Sequence, residues 1–228
     1  MRIRRLLAAV TTAALAGPAL AVVATTAPAA AATATHIVGS DGGAWIKASS
    51  YRSQPGVPVY GDTLSLSINV VTDTGDQVFD GSLTVQRQLA GQSSWTTVAT
   101  STSAYIYESV KAAGNATYRV VYSGSGDYAP SSDAVAAKIQ RKIEYKNVGT
   151  RKVMLAVKVS PKFRGAVKIF KQQGKKWKKF KTVRTNSKGR FTTPLPAPRK
   201  GKYYWKLEIG SSKAFAKSQT GKFYTYSY

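Results

Sequence analysis

The strongest constraint on the fold is a short-range alternation of apolar and polar residues that recurs along the chain. Leu64, Leu66, Ile68 and Val70 alternate with serine and asparagine, so one face can be buried while the other is wetted. Further short segments with the same alternation follow, separated by Gly, Asp, Ser and Pro, whereas helical periodicity is scarce. This pattern predicts an all-β fold built from antiparallel strands.

The chain also contains an internal repeat. The matching segments are 81–88 with 165–172, 95–98 with 177–180, and 118–122 with 203–207. In both copies a glycine turn separates the first two segments, and the second segment begins with tryptophan. Because repeated supersecondary units point to repeated modules, the sequence predicts two modules, 35–139 and 140–228. In this overlay Tyr118 lies over Tyr203.

Residues 1–34 have the features of a signal peptide. A short basic segment precedes an apolar stretch that is broken by Gly17 and Pro18, and small residues follow at Ala32 and Ala34. We expect cleavage after Ala32 or Ala34 and a secreted, extracellular product. An uncleaved membrane anchor is the alternative, which the Gly-Pro break disfavours.

The inventory of chemically reactive residues is small. Cysteine is absent and His36 is the only histidine, which excludes disulfides, thiol nucleophiles, Cys/His metal sites and most imidazole catalysis. In module 140–228 the acidic residues are Glu144 and Glu208, too few and too separated to predict a carboxylate pair. The aspartates of 73–80 have ordinary turn spacing and do not match an EF-hand loop. We therefore expect no enzyme activity, no catalytic residue, no metal and no cofactor.

The positive charge is confined to one half of the mature chain. Residues 35–139 carry six Lys or Arg against eight Asp or Glu, a net charge of −2. Residues 140–228 carry twenty-five against two, a net charge of +23. Self-repulsion of that size destabilises a fold, so solubility alone does not account for it. The asymmetry predicts an anionic partner for the second module, and the alternative is a merely solvated basic face.

The basic residues are concentrated in segment 171–183 and on the strands around it. The predicted polyanion-binding residues are Lys168, Lys171, Lys175, Lys176, Lys178, Lys179, Lys181, Arg184 and Lys206. Trp95 and Trp177 occupy matching places in the two copies, so we expect them to anchor a hairpin and not to form a ligand platform. The alternating tyrosines of 224–228 are expected to pack along a terminal strand, although an exposed stripe would be a binding surface.

The repeat also resembles a known family. The order of its motifs is similar to that of the bacterial immunoglobulin-like repeats of secreted Gram-positive proteins. The motifs are Val/Ile-x-Arg/Lys-Gln, a Gly turn, Trp-x-x-Val/Phe, then Tyr118-x-Val-x-Tyr-Ser-Gly and Asp127-Tyr-Ala-Pro-Ser. The resemblance covers 59–139 well and 152–226 more loosely. It implies two tandem immunoglobulin-like β-sandwiches, and such repeats serve as spacers, adhesion modules or envelope-binding modules.

The partner expected for the basic module is an anionic cell-wall polymer or an acidic envelope surface. Lysine outnumbers arginine there and acts as a point charge, which suits repeating anions without sequence readout. Non-specific nucleic acid is a further candidate partner, and the oligomeric state is left open. The alternatives for the whole chain are a structural stalk or adhesin spacer and, least favoured, a hydrolase accessory or an enzyme.

Overall fold

The computed structural model describes residues 31–49, 52–149 and 152–226 of the 228-residue chain. The strands of the first half are β1 (Thr35–Gly39), β2 (Ile46–Ala48), β3 (Thr63–Thr72), β4 (Gln77–Val78), β5 (Leu83–Leu89), β6 (Thr96–Ser101), β7 (Tyr105–Lys111), β8 (Ala116–Tyr122) and β9 (Ser131–Ala137). Those of the second half are β10 (Lys142–Asn147), β11 (Met154–Ser160), β12 (Ala166–Gln173), β13 (Lys176–Arg184), β14 (Arg190–Pro194), β15 (Tyr203–Ile209), β16 (Ser218–Gln219) and β17 (Phe223–Thr225). Within these ranges no helix has the length and hydropathy of a membrane span.

The first half forms a sandwich of two antiparallel sheets. In one sheet β3 is central and pairs with β1, β2, β4 and β7, and the other sheet has the order β6-β5-β8-β9. The alternating residues Leu64, Leu66, Ile68 and Val70 of β3 are all buried, as the period of two predicts. They belong to a hydrophobic core that also receives side chains from β5 and β8 of the facing sheet.

The second half repeats this arrangement. One sheet has the order β10-β11-β14, and the other has the order β13-β12-β15-β16, with β17 also paired to β15. A second hydrophobic core lies between them, in which Val157 and Val159 of β11 share the cluster with Ile169 of β12 and Leu207 of β15. The fold class predicted from sequence is confirmed: the chain is all-β, with two immunoglobulin-like sandwiches in tandem. Of the predicted signal peptide, residues 1–30 lie outside the described residues.

A β-bulge at the same place in both halves fixes how the copies correspond. The register between β5 and β6 shifts between Val85 and Gln86, and the register between β12 and β13 shifts between Ile169 and Phe170. A bulge places one extra residue on one strand and is a specific local feature. Its recurrence in the matching hairpin supports the repeat that the sequence predicts.

The bulges also correct one detail of the predicted overlay. Tyr118 lies opposite Arg87 on the neighbouring strand, and Trp205 lies opposite Lys171 in the same way. The residue equivalent to Tyr118 is therefore Trp205 and not Tyr203, a shift of two residues along the strand. Because the shift is even, it keeps each side chain on its predicted face, and both Tyr118 and Trp205 are fully buried.

The two sandwiches meet at a joint centred on the buried side chain of Gln140. Its Nε2 donates to the carbonyl oxygens of Pro55 at 2.7 Å and Val57 at 2.8 Å, both in the first half. Its Oε1 accepts a hydrogen bond of 2.9 Å from the backbone N–H of Gln219 in the second half. One amide thus connects both halves while having its own hydrogen-bonding groups satisfied.

Aromatic packing adds to the joint. The guanidinium of Arg141 lies over the rings of Phe163 and Phe215, at 4.6 and 4.2 Å from the ring centroids. Phe215 follows β15 in the sequence but packs in the core of the first sandwich, edge-on to Tyr60. The second half therefore completes the core of the first, and the residues from Ala32 onward form one compact unit. The division at 139 and 140 stays a prediction.

The ends of the second sandwich have different surroundings. One end, with the start of β10 and residues 210–217, contacts the first sandwich. The opposite end carries the turn between β12 and β13 and the connection 195–202, and we call it the distal pole. At that turn Gly174 has a φ of 58°, the positive value that a two-residue hairpin of type II′ requires at this position.

Replacing Gln140 with leucine is expected to weaken the joint. The substitution removes three hydrogen bonds, to the Pro55 and Val57 carbonyls and from the Gln219 N–H, and each hydrogen bond contributes about 0.5–1.5 kcal/mol net. We expect the free energy of unfolding to fall by about 2–5 kcal/mol, measured by urea denaturation. The same change at the exposed Gln92 is the control and should cost less than about 0.5 kcal/mol. Equal stability of the two variants would contradict the role given to Gln140.

Candidate functional site

The lysine-rich segment 171–183 is the β12–β13 hairpin, which projects toward the distal pole. β13 is an edge strand that pairs only with β12 in the described sheet. Its lysines have one structural effect regardless of any ligand, because charged side chains on an edge strand oppose pairing with another chain. A binding role must therefore rest on more than their presence in the hairpin.

Strand pairing divides the predicted residues between two faces of the sheet. Directly opposed residues in a sheet share a face, and the buried Ile169 and Trp205 mark the inner face. On the outer face are Lys168, Lys179, Arg184 and Lys206; on the inner face are Lys171, Lys178 and Lys181; at the hairpin tip are Lys175 and Lys176. The structure thus spreads the predicted set over two faces and a turn, and not over a single surface.

Three of the nine predicted cations are held by other protein groups. Lys206 Nζ lies 2.6 Å from Glu208 Oε1, and Lys171 Nζ lies 3.2 Å from the centroid of the Tyr203 ring. Lys181 Nζ donates to the carbonyl oxygen of Pro194 at 2.7 Å, and burial lowers the pKa of this lysine. These contacts fix the three ammonium groups and reduce what each can offer to a ligand.

The other six predicted cations are exposed, and among the described residues none of them forms an ion pair. They are Lys168, Lys175, Lys176, Lys178, Lys179 and Arg184. Both acidic residues of the second half are engaged elsewhere, Glu144 with Lys142 and Lys158, and Glu208 with Lys206 and Lys217. The charge of the hairpin is therefore left uncompensated by carboxylates of its own module.

Trp177 takes part in a structural contact that the first half also contains. Lys206 Nζ lies 5.2 Å from the centroid of the Trp177 ring, and the guanidinium of Arg119 lies 4.2 Å from the centroid of Trp95. Each cation comes from the strand next to the hairpin, and both tryptophans are half-buried. The agreement between copies supports the predicted role of these tryptophans as hairpin anchors, held by a cation–π contact.

A groove of about 1090 Å³ opens at the distal pole, and the sequence did not predict it. Phe180 from the hairpin, Leu195 from the connection 195–202, and Tyr224 and Tyr226 from the terminal segment line it, together with Lys152 and Lys181. Phe180, Tyr224 and Tyr226 are each 40–49% exposed. The alternating tyrosines were the one sequence signal for this surface, but the other walls come from segments far apart in the chain.

The aspartates of 73–80 raise the question of a metal site. Among them there is no group of three or more His, Cys, Asp or Glu side chains that could hold a metal ion. The aspartates of the 73–80 segment are therefore not gathered into such a group in the described structure.

The geometry defines a class of protein: tandem immunoglobulin-like sandwiches, of which the second bears a basic hairpin and an aromatic groove. No protein-family model matches the sequence, and no curated protein matches it. Among solved structures the chain is similar to one described as the human OSCAR ligand-binding domain, at 13% identity, covering 78% of this chain and 96% of that one. The TM-score is 0.24, so this likeness carries no argument about function.

Replacing Glu208 with glutamine is expected to destabilise the second sandwich in a pH-dependent way. Burial raises the pKa of Glu208, but hydrogen bonds from Lys206 and Lys217 lower it, and the net result is below the ordinary 4.5. A depressed carboxyl pKa stabilises the fold above the unfolded value, and this stabilisation is lost as the pH falls through the folded value. We expect a loss of about 1–3 kcal/mol at pH 7, shrinking as the pH falls below about 4.5, by urea denaturation.

Glu144 provides the matched control for this prediction. Its pKa is also lowered, first by the hydrogen bond from Lys158, but its side chain is 43% exposed against 10% for Glu208. Exposed pairs contribute about 0–1 kcal/mol, so Glu144→Gln should cost less. A stability difference between the wild type and Glu208→Gln that is equal at pH 7 and pH 3 would contradict the assigned ion pair.

Proposed function

We propose that the protein is a non-enzymatic binding protein that is retained on anionic polymers by its second sandwich. One observation carries this proposal: the second half has a net charge of +23, and its two carboxylates are both engaged in ion pairs. A surface with so much uncompensated charge attracts polyanions and concentrates them near the hairpin. The first sandwich, with a net charge of −2, serves as a spacer or as a surface for another partner.

The hairpin is the part of the second sandwich best placed for this role. Its six exposed cations without ion pairs include Lys175 and Lys176 at the tip, which lies at the distal pole. Lysines act as separate point charges, so they can follow a flexible chain of repeating anions without a fixed register. We expect binding to depend steeply on salt and little on the detailed sequence of the polymer.

We further propose that the protein is exported and associated with a bacterial cell envelope. The support is the predicted signal peptide together with the resemblance to bacterial immunoglobulin-like repeats. Outside such a cell, wall polymers bearing phosphate or carboxylate are the natural anionic partners. Acidic lipid surfaces and non-specific nucleic acid share this charge and are further candidate partners.

A stalk or adhesin spacer is the second candidate, and the joint at Gln140 favours it. A spacer needs its modules to be held at a fixed relation, and the buried hydrogen bonds of Gln140 and the insertion of Phe215 do this. In that case the lysines of β13 only protect an edge strand and keep the protein soluble. The two candidates differ in whether the wild-type protein binds polyanions in a salt-dependent way.

Replacing Lys175, Lys176, Lys178 and Lys179 with glutamine is expected to weaken binding to poly(glycerol phosphate). Each lysine near an anionic surface contributes on the order of 1 kcal/mol, so the affinity at low salt should fall between about tenfold and a thousandfold. The plot of log affinity against log salt concentration should also become shallower, because fewer counterions are released. Isothermal titration calorimetry at several salt concentrations measures both quantities.

The control variant removes the same charge at the other end of the second sandwich. Lys162, Arg164, Lys188 and Arg190 are exposed, and changing them to glutamine lowers the net charge equally. We expect this control to retain most of the affinity and most of the salt dependence. Equal losses in the two variants would show that only net charge acts, and no salt-sensitive binding by the wild type would leave the spacer as the function.

A further inference from the structure

The groove at the distal pole has a counterpart in the first sandwich that is already filled. There the equivalent end is covered by the second half: Lys213 lies against Gly91, its carbonyl oxygen accepts from Asn115 Nδ2 at 3.1 Å, and Phe215 enters the core. The described part of the second sandwich has no such cover, and the groove of about 1090 Å³ remains. An end that is occupied in one copy is thus open in the other.

The lining of the groove combines apolar surface with positive charge. Phe180 packs edge-on against the buried Trp205, with ring centroids 5.1 Å apart, and leaves 43% of its surface exposed. Leu195 and Val153 extend this apolar floor, and Lys152 lies at the groove with Lys181. Among the described residues that line the groove none is acidic, so these residues leave its positive charge without a neutralising partner.

We propose that this groove binds a segment of anionic glycan, in which sugar rings carry carboxylate groups. Hydrogens on the face of a pyranose ring pack well on aromatic faces, while a carboxylate pairs with Lys152 and the charge of Lys181 adds to the attraction. This inference rests on the proposed polyanion binding and assigns its ligand class. The hairpin supplies long-range attraction, and the groove supplies the contacts that distinguish a sugar polymer from other anions.

The arrangement of the rings favours a glycan over a nucleic acid. Single-stranded nucleic acids bind to aromatic platforms on which successive bases stack. In the groove, the ring planes of Tyr224 and Tyr226 make an angle of 42°, so this pair does not form a parallel clamp for a base. A polymer such as poly(glycerol phosphate) has no ring to place on the apolar floor.

The test compares four probes on the full chain by isothermal titration calorimetry. They are a short oligogalacturonate of defined length, a neutral maltooligosaccharide of the same length, poly(glycerol phosphate) and oligo(dT). Phe180→Ala and Lys152→Gln alter the groove, and Phe79→Ala, at a phenylalanine 61% exposed in the first sandwich, is the matched control. Urea denaturation of each variant checks that it is folded.

We expect Phe180→Ala to weaken oligogalacturonate binding by about five- to tenfold and Lys152→Gln to weaken it by a similar factor, while Phe79→Ala has no effect. Poly(glycerol phosphate) binding should change less than about twofold in Phe180→Ala.

One outcome separates the groove from the proposed function. If both groove variants bind oligogalacturonate as the wild type does, while the variant with the four hairpin lysines changed to glutamine no longer binds any polyanion, the groove assignment is overturned and the proposed function stands. If the wild type binds none of the anionic probes, both proposals are overturned. If the groove variants lose as much affinity for oligo(dT) as for oligogalacturonate, the glycan assignment is overturned.

Discussion

The hydrogen bonds of the buried Gln140 side chain are the interaction on which the tandem arrangement depends. A buried amide that lacks its partners is costly, so the loop at Pro55 and Val57 and the strand at Gln219 must keep their positions around it. Because these groups must stay in place, the short connection between the sandwiches also has a specific geometry. It also determines which end of the second sandwich faces away from the first, and therefore where the hairpin and the groove are presented.

The two copies show how a binding surface can be added to a sandwich without altering its scaffold. The bulged hairpin, the tryptophan and the cation that stacks on it recur in both halves. At corresponding register positions Thr96 and Thr97 of the first copy are replaced by Lys178 and Lys179 of the second. Exposed strand positions tolerate such changes because they contribute little to the core. The lysines of the second copy therefore lie at positions where substitution costs the fold little stability.

The sequence predicted those features that arise from local patterns, and it missed those that arise from distant segments. Period-two alternation predicted strands such as β3, and the matching segments predicted the repeat, because both follow directly from residue order. The faces of the lysines depended on the bulge between Ile169 and Phe170, which changes the alternation within one strand. The groove was not predictable, since Phe180, Leu195 and Tyr226 meet only when three separate segments fold together.

The insertion of Phe215 into the first core has a consequence for how the chain acquires its structure. Contacts between residues distant in sequence form late, because the intervening chain must first be ordered. Tyr60 and Phe215 are in contact although most of the described sequence lies between them, so the first sandwich emerges from synthesis well before the residue that completes its core. The core of the first sandwich therefore lacks Phe215 until the second half has been synthesised and has folded against it.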